Sequence, residues 1–493
     1  MTRSMTLAGF LIAASGTAYA TDYTVPGPSN ETLTFYLESP LSPVVDGDTI
    51  ILTDAGNYQN TYIVSHDDLT IRAAAGQTIV LDGQFVGTVV ELLGDNLTLE
   101  DLTIRNGLAA IDGGAVRSIG NKLTIRRCVF ENNVAPDDGG AIVFSDNELL
   151  IEDSQFLNNS TQGSTSQSAG GAIQTVRGDI VLRGCTFAGN EADYAGGALH
   201  IADTDARYQI EDCVFDSNTA TFGGAIWWVT GAEGDVYDSL FDGNIATQDG
   251  GGVYHNASPA TYTRCTFVNN KTEGPVADDG GAMYITGETT NEVLATSCLF
   301  ANNTANSSGG AIIMLSGPDS RFLNCTIYGN TALGAFSGSG GGGVYTSGTG
   351  ATGRFRNCIV RGNTPDQFTG PASLEYSNVD GGAGSGTIDM DPLFVDAAAG
   401  DFRLMDESPS IDAGNAGFFS TEAAPTDLDG NPRVVTASET PAGLSILGLF
   451  VDHGAYEVQP ATAASCVADA NADGVLNLDD IDAFVQSFLN GCP

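Results

Sequence analysis

The sequence predicts an all-β chain: a parallel β-helix of about twelve coils, followed by a small C-terminal α module built on one calcium loop. Three observations predict it. The chain returns nine times to Gly-Gly followed by Ala or Val; a second phrase, small-x-apolar-x-x-Asn, alternates with the first; and twelve residues near the C-terminus carry the ligand spacing of a calcium site.

The first phrase begins at Gly113, Gly139, Gly170, Gly196, Gly223, Gly251, Gly280, Gly309 and Gly342, at intervals of 26 to 33 residues. A near-constant period of this size signals a solenoid. The residue after Ala or Val is large and apolar in every copy: Val116, Ile142, Ile173, Leu199, Ile226, Tyr254, Met283, Ile312 and Tyr345. Each repeat therefore contributes a short strand after a glycine turn, with these residues expected to point inward.

The second phrase runs from Cys128/Phe130/Asn133 through Ser154/Phe156/Asn159 to Cys358/Val360/Asn363. Its first and third residues share a strand face, so both point into a core whose first slot admits only a small side chain. Another apolar residue lies three positions earlier, as at Ile125, Ile151 and Leu182. That odd interval reverses parity and calls for a corner between two short strands. With no room for a covering helix, such strands bury their inner faces only by stacking coil on coil. Twelve coils at ~4.8 Å make a rod roughly 60 Å long. Asparagine at a fixed point of nine coils fits a ladder of side-chain amides, at a turn that needs left-handed backbone.

Seven of the nine cysteines occupy the small slot, and Ser154 and Ser239 fill it elsewhere. The position demands small size, so these thiols are expected to be buried and free.

Residues 1–20 read as an export signal, with Arg3, an apolar run over 5–14, and Ala18-Tyr19-Ala20 ahead of a mature start at Thr21. The expected location is extracellular or cell-surface. No later stretch approaches the roughly 20 apolar residues of a membrane helix. With 61 acidic and 18 basic residues, a net charge of −43 and only Lys122 and Lys271 as lysines, the chain would repel nucleic acid and anionic lipid.

The calcium loop is Asp469-Ala470-Asn471-Ala472-Asp473-Gly474-Val475-Leu476-Asn477-Leu478-Asp479-Asp480. Calcium takes six to eight oxygen ligands, and this spacing offers side-chain oxygens from Asp469, Asn471 and Asp473 and the carbonyl of Val475. Asn477 contributes directly or through water, and Asp480 closes the site. A helical stripe of Ile481, Phe484, Val485, Phe488 and Leu489 follows.

From Gly113 to Asn363 the phrases resemble the right-handed parallel β-helix repeats of polymorphic outer-membrane proteins and other exported bacterial proteins. Residues 377–458 resemble a choice-of-anchor Q region, through Asp391-Pro392-Leu393-Phe394, Asp427-Leu428-Asp429-Gly430-Asn431-Pro432 and Asp452-His453-Gly454-Ala455-Tyr456. These are expected to form final coils and a cap. A second calcium site at Asp427/Asp429 competes there with an Asp-Gly-Asn-Pro turn. The loop, the ending Gly491-Cys492 and the bracket from Cys466 to Cys492 resemble GC-type dockerin-like tails, an EF-hand variant. That resemblance implies a Cys466–Cys492 disulfide, Ca2+ as the bound ion, and a cohesin-like or cell-surface receptor as partner. The expected organisation is signal 1–20, N-terminal cap and first coils 21–110, regular repeats 111–376, final coils and cap 377–458, linker 459–465, and calcium-binding tail 466–493.

For the rod, the motifs of pectate-type lyases and of polygalacturonase-like hydrolases are absent. Asp112, Asp138 and Asp279 precede glycine pairs, and stacking would bring the first two to roughly 5 Å, a spacing suited to a retaining glycosidase or to calcium; a solenoid brings any repeated residue that close, and a turn-initiating aspartate is the preferred reading. Two positions after the Ala or Val runs the row Arg117, Val143, Gln174, His200, Trp227, His255, Tyr284, Ile313, Thr346. If it faces outward, His200, Trp227, His255 and Tyr284 form a candidate saccharide-binding strip. The expected function is a non-catalytic, carbohydrate-associated scaffold attached by its tail, with a polysaccharide lyase or hydrolase as the alternative.

Overall fold

The computed structural model describes residues 20–25, 30–163, 168–202, 207–274, 278–287, 292–315, 320–334, 340–348, 351–420, 425–434 and 450–459. The signal at 1–19, most of the linker and the whole tail, with Cys466, Asp469, Asn471, Asp473, Val475, Asn477, Asp480 and Cys492, lie outside the described residues.

The chain winds as a parallel β-solenoid of about twelve turns, with sheets of 24, 13 and 8 strands. One coil shows how the phrases fold. Ile226–Trp228 and Glu233–Tyr237 lie in the first sheet, Leu240–Asp242 in the second and Ile245–Ala246 in the third. Left-handed residues make the two corners, Asp238 (φ 49°) and Gly243 (φ 63°). Each corner falls one residue before the slot, Ser239, or the ladder residue, Asn244. The sequence reading had given the left-handed backbone to the asparagine itself; the residue preceding it takes it, as at Asn132, Asn158 and Asn269. A left-handed residue breaks the two-residue alternation, which accounts for the parity flip.

Glycine is required at the return. Gly223 has φ 61°, and a Cβ on Gly224 would stand 2.1 Å from the carbonyl oxygen of Gly251 on the next coil. The backbones meet too closely for any side chain.

Inside the rod, Phe130, Phe156, Phe187, Phe215, Phe241, Phe267 and Phe300 form one continuous stack with centroids 4.5 to 5.0 Å apart. Stacked strands in register impose that spacing. The Asn ladder runs beside it. Asn244 Nδ2 donates to Phe215 O on the preceding coil at 2.9 Å and to Asn270 Oδ1 on the following coil at 2.9 Å. The seven slot cysteines are buried and free. Burial pushes the Cys128 thiol up to about 12.

On the outside of the first sheet, Arg72, Glu100, Arg126, Glu152, Arg183 and Glu211 fall in register on successive strands. This alternation makes pairs such as Arg126–Glu152 at 2.9 Å and Arg183–Glu211 at 3.2 Å. Two of the chain's scarce arginines, Arg126 and Arg183, are thus spent on Glu100, Glu152 and Glu211.

The helix Asn30–Glu38 covers the N-terminal end, with Leu33 and Leu37 buried. At the other end the coil path continues only to the bridges Glu375–Ser385 and Asn378–Ile388. The described residues beyond them, within the segment expected to form final coils and a cap, run as a strap along the rod's outer face. Its antiparallel pair Phe394–Asp396 and Asp401–Leu404 packs Phe394 and Phe402 on Leu299, Ala301 and Tyr328. Arg433, fully buried, pairs with Glu457 at 3.3 Å and donates to Ser297 Oγ at 3.4 Å. Asp427 accepts from the Asn431 and Glu457 amides at 2.7 and 2.9 Å, and Asp429 pairs with Arg403 at 2.7 Å. The Asp-Gly-Asn-Pro segment is therefore a turn with its carboxylates engaged.

Candidate functional site

Register decides which side chains reach the surface of the first sheet. Ile226, Trp227 and Trp228 align with Val253, Tyr254 and His255, so Tyr254 lies outward beside Trp227 while His255 points into the core. The segment Gly250-Gly251-Gly252 offers two readings of a glycine pair, and the fold uses the first two glycines. The saccharide candidate His255 is corrected accordingly. It is fully buried, bonded through Nδ1 to Ser258 Oγ at 3.0 Å and through Nε2 to Tyr262 Oη at 2.9 Å, and it stacks on Trp228. Burial holds its pKa near 3, so it is neutral at physiological pH. The same slip recurs at Gly341-Gly342-Gly343, where Val344 aligns with Ile312 and Tyr345 with Ile313; Thr346 is buried.

The outward row is thus Gln174, His200, Trp227, Tyr254 and Tyr284 on successive strands. His200 and Trp227 lie 4.9 Å apart, Trp227 meets Tyr254 edge-on at 5.9 Å, and Tyr254 stacks on Tyr284 at 4.6 Å and 10°. Two aromatics missed in the sequence complete the cluster: Tyr194, 5.4 Å from Trp227, and Phe222, 5.6 Å from Tyr254. Phe222 takes the place before the glycine pair that holds Asp in other coils, and that exchange was the signal available.

His200 Nδ1 faces the Gln174 side-chain amide. The His200 Nε2 and the Trp227 Nε1 are shielded from solvent and have no hydrogen-bond partner among the described residues. Burial holds His200 near 3, so the ring is neutral.

Carboxylates flank the aromatics. Asp249, hidden by the triple glycine, precedes Gly250 and is the structural equivalent of Asp279 on the next coil. Its Oδ1 accepts the Asp279 amide at 3.1 Å, and Asp279 Oδ1 accepts the Ser308 amide at 2.8 Å. Asp112 and Asp138 repeat the arrangement, with Asp138 N on Asp112 Oδ1 at 3.3 Å. Burial, then the neighbouring carboxylates Asp279 and Asp278, push Asp249 up to about 7. Burial does the same to Asp138, also to about 7, and raises Asp279 and Asp112. The Asp249 and Asp279 charges in turn raise the Tyr284 phenol, after burial, which is the larger cause.

The cluster offers flat apolar faces for ring stacking and carboxylates that bind hydroxyls or exchange protons near neutral pH. Among the described residues no group of three or more His, Cys, Asp or Glu is placed to hold a metal ion, and no helix is long and apolar enough to cross a membrane.

A right handed beta helix region family model matches residues 57–241, and a Chlamydia polymorphic membrane protein repeat matches residues 297–312. No curated protein matches the chain. Among solved structures, a mannuronic acid specific polysaccharide family 6 lyase from human gut microbiota is 12% identical, covering 72% of this chain and 91% of that one, with a TM-score of 0.38. The alginate lyase AlyF-OU02 is 15% identical over 75% of this chain and 86% of that one, with a TM-score of 0.40. The pectate lyase Pel9A is 12% identical over 90% and 98%, with a TM-score of 0.30.

Proposed function

We propose that this is an extracellular, carbohydrate-associated β-helix protein whose outward aromatic row binds a saccharide and whose C-terminal loop binds calcium and docks the protein to a surface receptor. One observation carries the saccharide reading: Trp227, Tyr254 and Tyr284 form an unbroken aromatic run on three successive coils beside the carboxylates Asp249 and Asp279. Sugar-binding clefts pair aromatic faces with a few placed polar groups. The match to a Chlamydia polymorphic membrane protein repeat supports a surface location. The tail reading rests on the ligand spacing of Asp469, Asn471, Asp473, Val475, Asn477 and Asp480.

Calorimetric titration of the full chain against a polysaccharide panel tests the first part; binding abolished in Trp227→Ala is expected, and binding unaffected by it would overturn the reading. A calcium titration tests the second. Asp469→Ala combined with Asp473→Ala is expected to remove the heat, and unchanged heat would refute the loop.

A second reading, a polysaccharide-cleaving enzyme, is favoured by the Asp249/Asp279 pair, since one of two neighbouring carboxylates with a pKa near neutrality can act as a general acid. New reducing or unsaturated ends formed from any polymer, and lost in Asp249→Asn, would establish it in place of the scaffold.

A further inference from the structure

We infer that the saccharide taken by the aromatic row is an uncharged pyranose polymer and not a uronate-bearing or sulfated one. This rests on the row being a saccharide platform, and it follows from where the protein has put its charge. Of 79 acidic and basic side chains, 61 are acidic and 18 basic, and the described cations are largely held by carboxylates away from the row. Arg126 and Arg183 lie in the alternating ladder, Arg177 pairs with Asp146 at 2.9 Å, and Lys271 with Glu273 at 2.6 Å. The one cation in the row is Arg117, four strands below Trp227 or roughly 19 Å, and it pairs with Glu91 at 3.2 Å. That distance is about twice the screening length at physiological salt. The row's only other basic side chain among the described residues, His200, is held neutral by burial.

The charges that act on the stacked phenols of Tyr254 and Tyr284 are those of Asp249 and Asp279. At a pH above about 7, where Asp249 is ionised, a uronate or sulfate would bring its charges against these carboxylates, and among the described residues the row holds no nearby positive group to offset them; like charges across an interface exclude a ligand. Nor do the described residues gather the three acidic or imidazole ligands that a bridging cation would need. An uncharged sugar meets none of this. Its C–H faces lie on Trp227, Tyr254 and Tyr284, and its hydroxyls donate to the carboxylates. Asp249 Oδ1 already accepts the Asp279 amide, so the second oxygen is the one that would take such a donor.

The test is calorimetric titration of the full chain with oligosaccharides from neutral glucan, xylan, mannan and galactan and, in parallel, with oligogalacturonate, oligoalginate and a sulfated galactan, each with calcium and with chelator. At least one neutral series is expected to bind, insensitive to added salt, with every anionic series at least about tenfold weaker. The double variant Asp249→Asn plus Asp279→Asn, with its fold checked by circular dichroism, is expected to narrow that gap. Binding confined to anionic polymers, or uronate binding that appears with calcium, would overturn the inference while leaving the platform in place. Binding to neither class would overturn the platform and the inference together.

Discussion

Tyr254 and His255 are adjacent in sequence and lie on opposite sides of the same wall: the Tyr254 ring stacks outside on Tyr284 at 4.6 Å, and the His255 ring lies inside, bonded to Tyr262 Oη at 2.9 Å. One residue of register separates a surface that can meet a ligand from a core that cannot.

This pair gives the first prediction. Tyr254→Ala is expected to weaken saccharide binding by tenfold or more with a small change in thermal stability. His255→Ala leaves a cavity and an unpaired Tyr262 hydroxyl, and is expected to cost about 2–4 kcal/mol while affinity per folded molecule is retained. Denaturation and titration of both variants check it.

The asparagine ladder sets a second. Asn244 Oδ1 accepts from the Asn218 amide and from Asn218 Nδ2 at 3.0 and 2.9 Å, and Asn244 Nδ2 donates to Phe215 O and Asn270 Oδ1. Alanine there strands several buried polar groups at once. A loss of about 3–5 kcal/mol is expected in chemical denaturation.

The small slot tolerates chemistry but not volume. Cys213 is fully buried, its amide donating to Ser239 Oγ at 3.1 Å and its thiol to Glu211 O at 3.2 Å. Cys213→Ser is expected to change stability by less than about 1 kcal/mol, because serine already serves that slot with the same bonds, and Cys213→Leu to cost about 1–3 kcal/mol by overpacking. A thiol reagent is expected to reach the slot cysteines only after unfolding.

Acidity should stabilise this fold over part of the range. Asp249, Asp138 and the strap's Asp452 are each raised to about 7 from an ordinary 3.8, chiefly by burial. A carboxyl raised in the folded state contributes stability that is complete below pH 4 and lost as pH rises through 7. Asp101, lowered by its bonds to Arg127, acts in the opposite sense, losing its contribution as pH falls below about 4. The melting temperature is therefore expected to rise on going from pH 8 to pH 5, and Asp452→Asn is expected to flatten that slope.

Much of the architecture was legible because a solenoid repeats its constraints. The slot cysteines, the apolar residue two positions later and the ladder asparagines each recur on coil after coil, and the buried Phe130 to Phe300 stack follows from them. Register failed where the signal was degenerate: Gly250-Gly251-Gly252 reads equally well one residue off, which placed His255 outside and concealed Asp249. Tyr194 and Phe222 were missed because they break the repeat, and a reading built on recurrence discounts such positions. The strap's path was not legible in a segment expected to form final coils and a cap, because its contacts with Ser297, Thr326 and Asn357 join residues far apart in sequence with no period to announce them. The calcium loop and the Cys466–Cys492 bracket lie outside the described residues and stand on spacing and resemblance alone.

The sequence has two tryptophans, Trp227 in the outward row and Trp228 buried against His255. In the Trp228→Phe variant Trp227 is the sole tryptophan reporter. Titrating that variant with neutral oligosaccharides is predicted to give a saturable change in Trp227 emission that disappears when Tyr254→Ala is added. Saccharide binding detected by calorimetry with no change in Trp227 emission would contradict the account, because the ligand would then lie elsewhere on the protein.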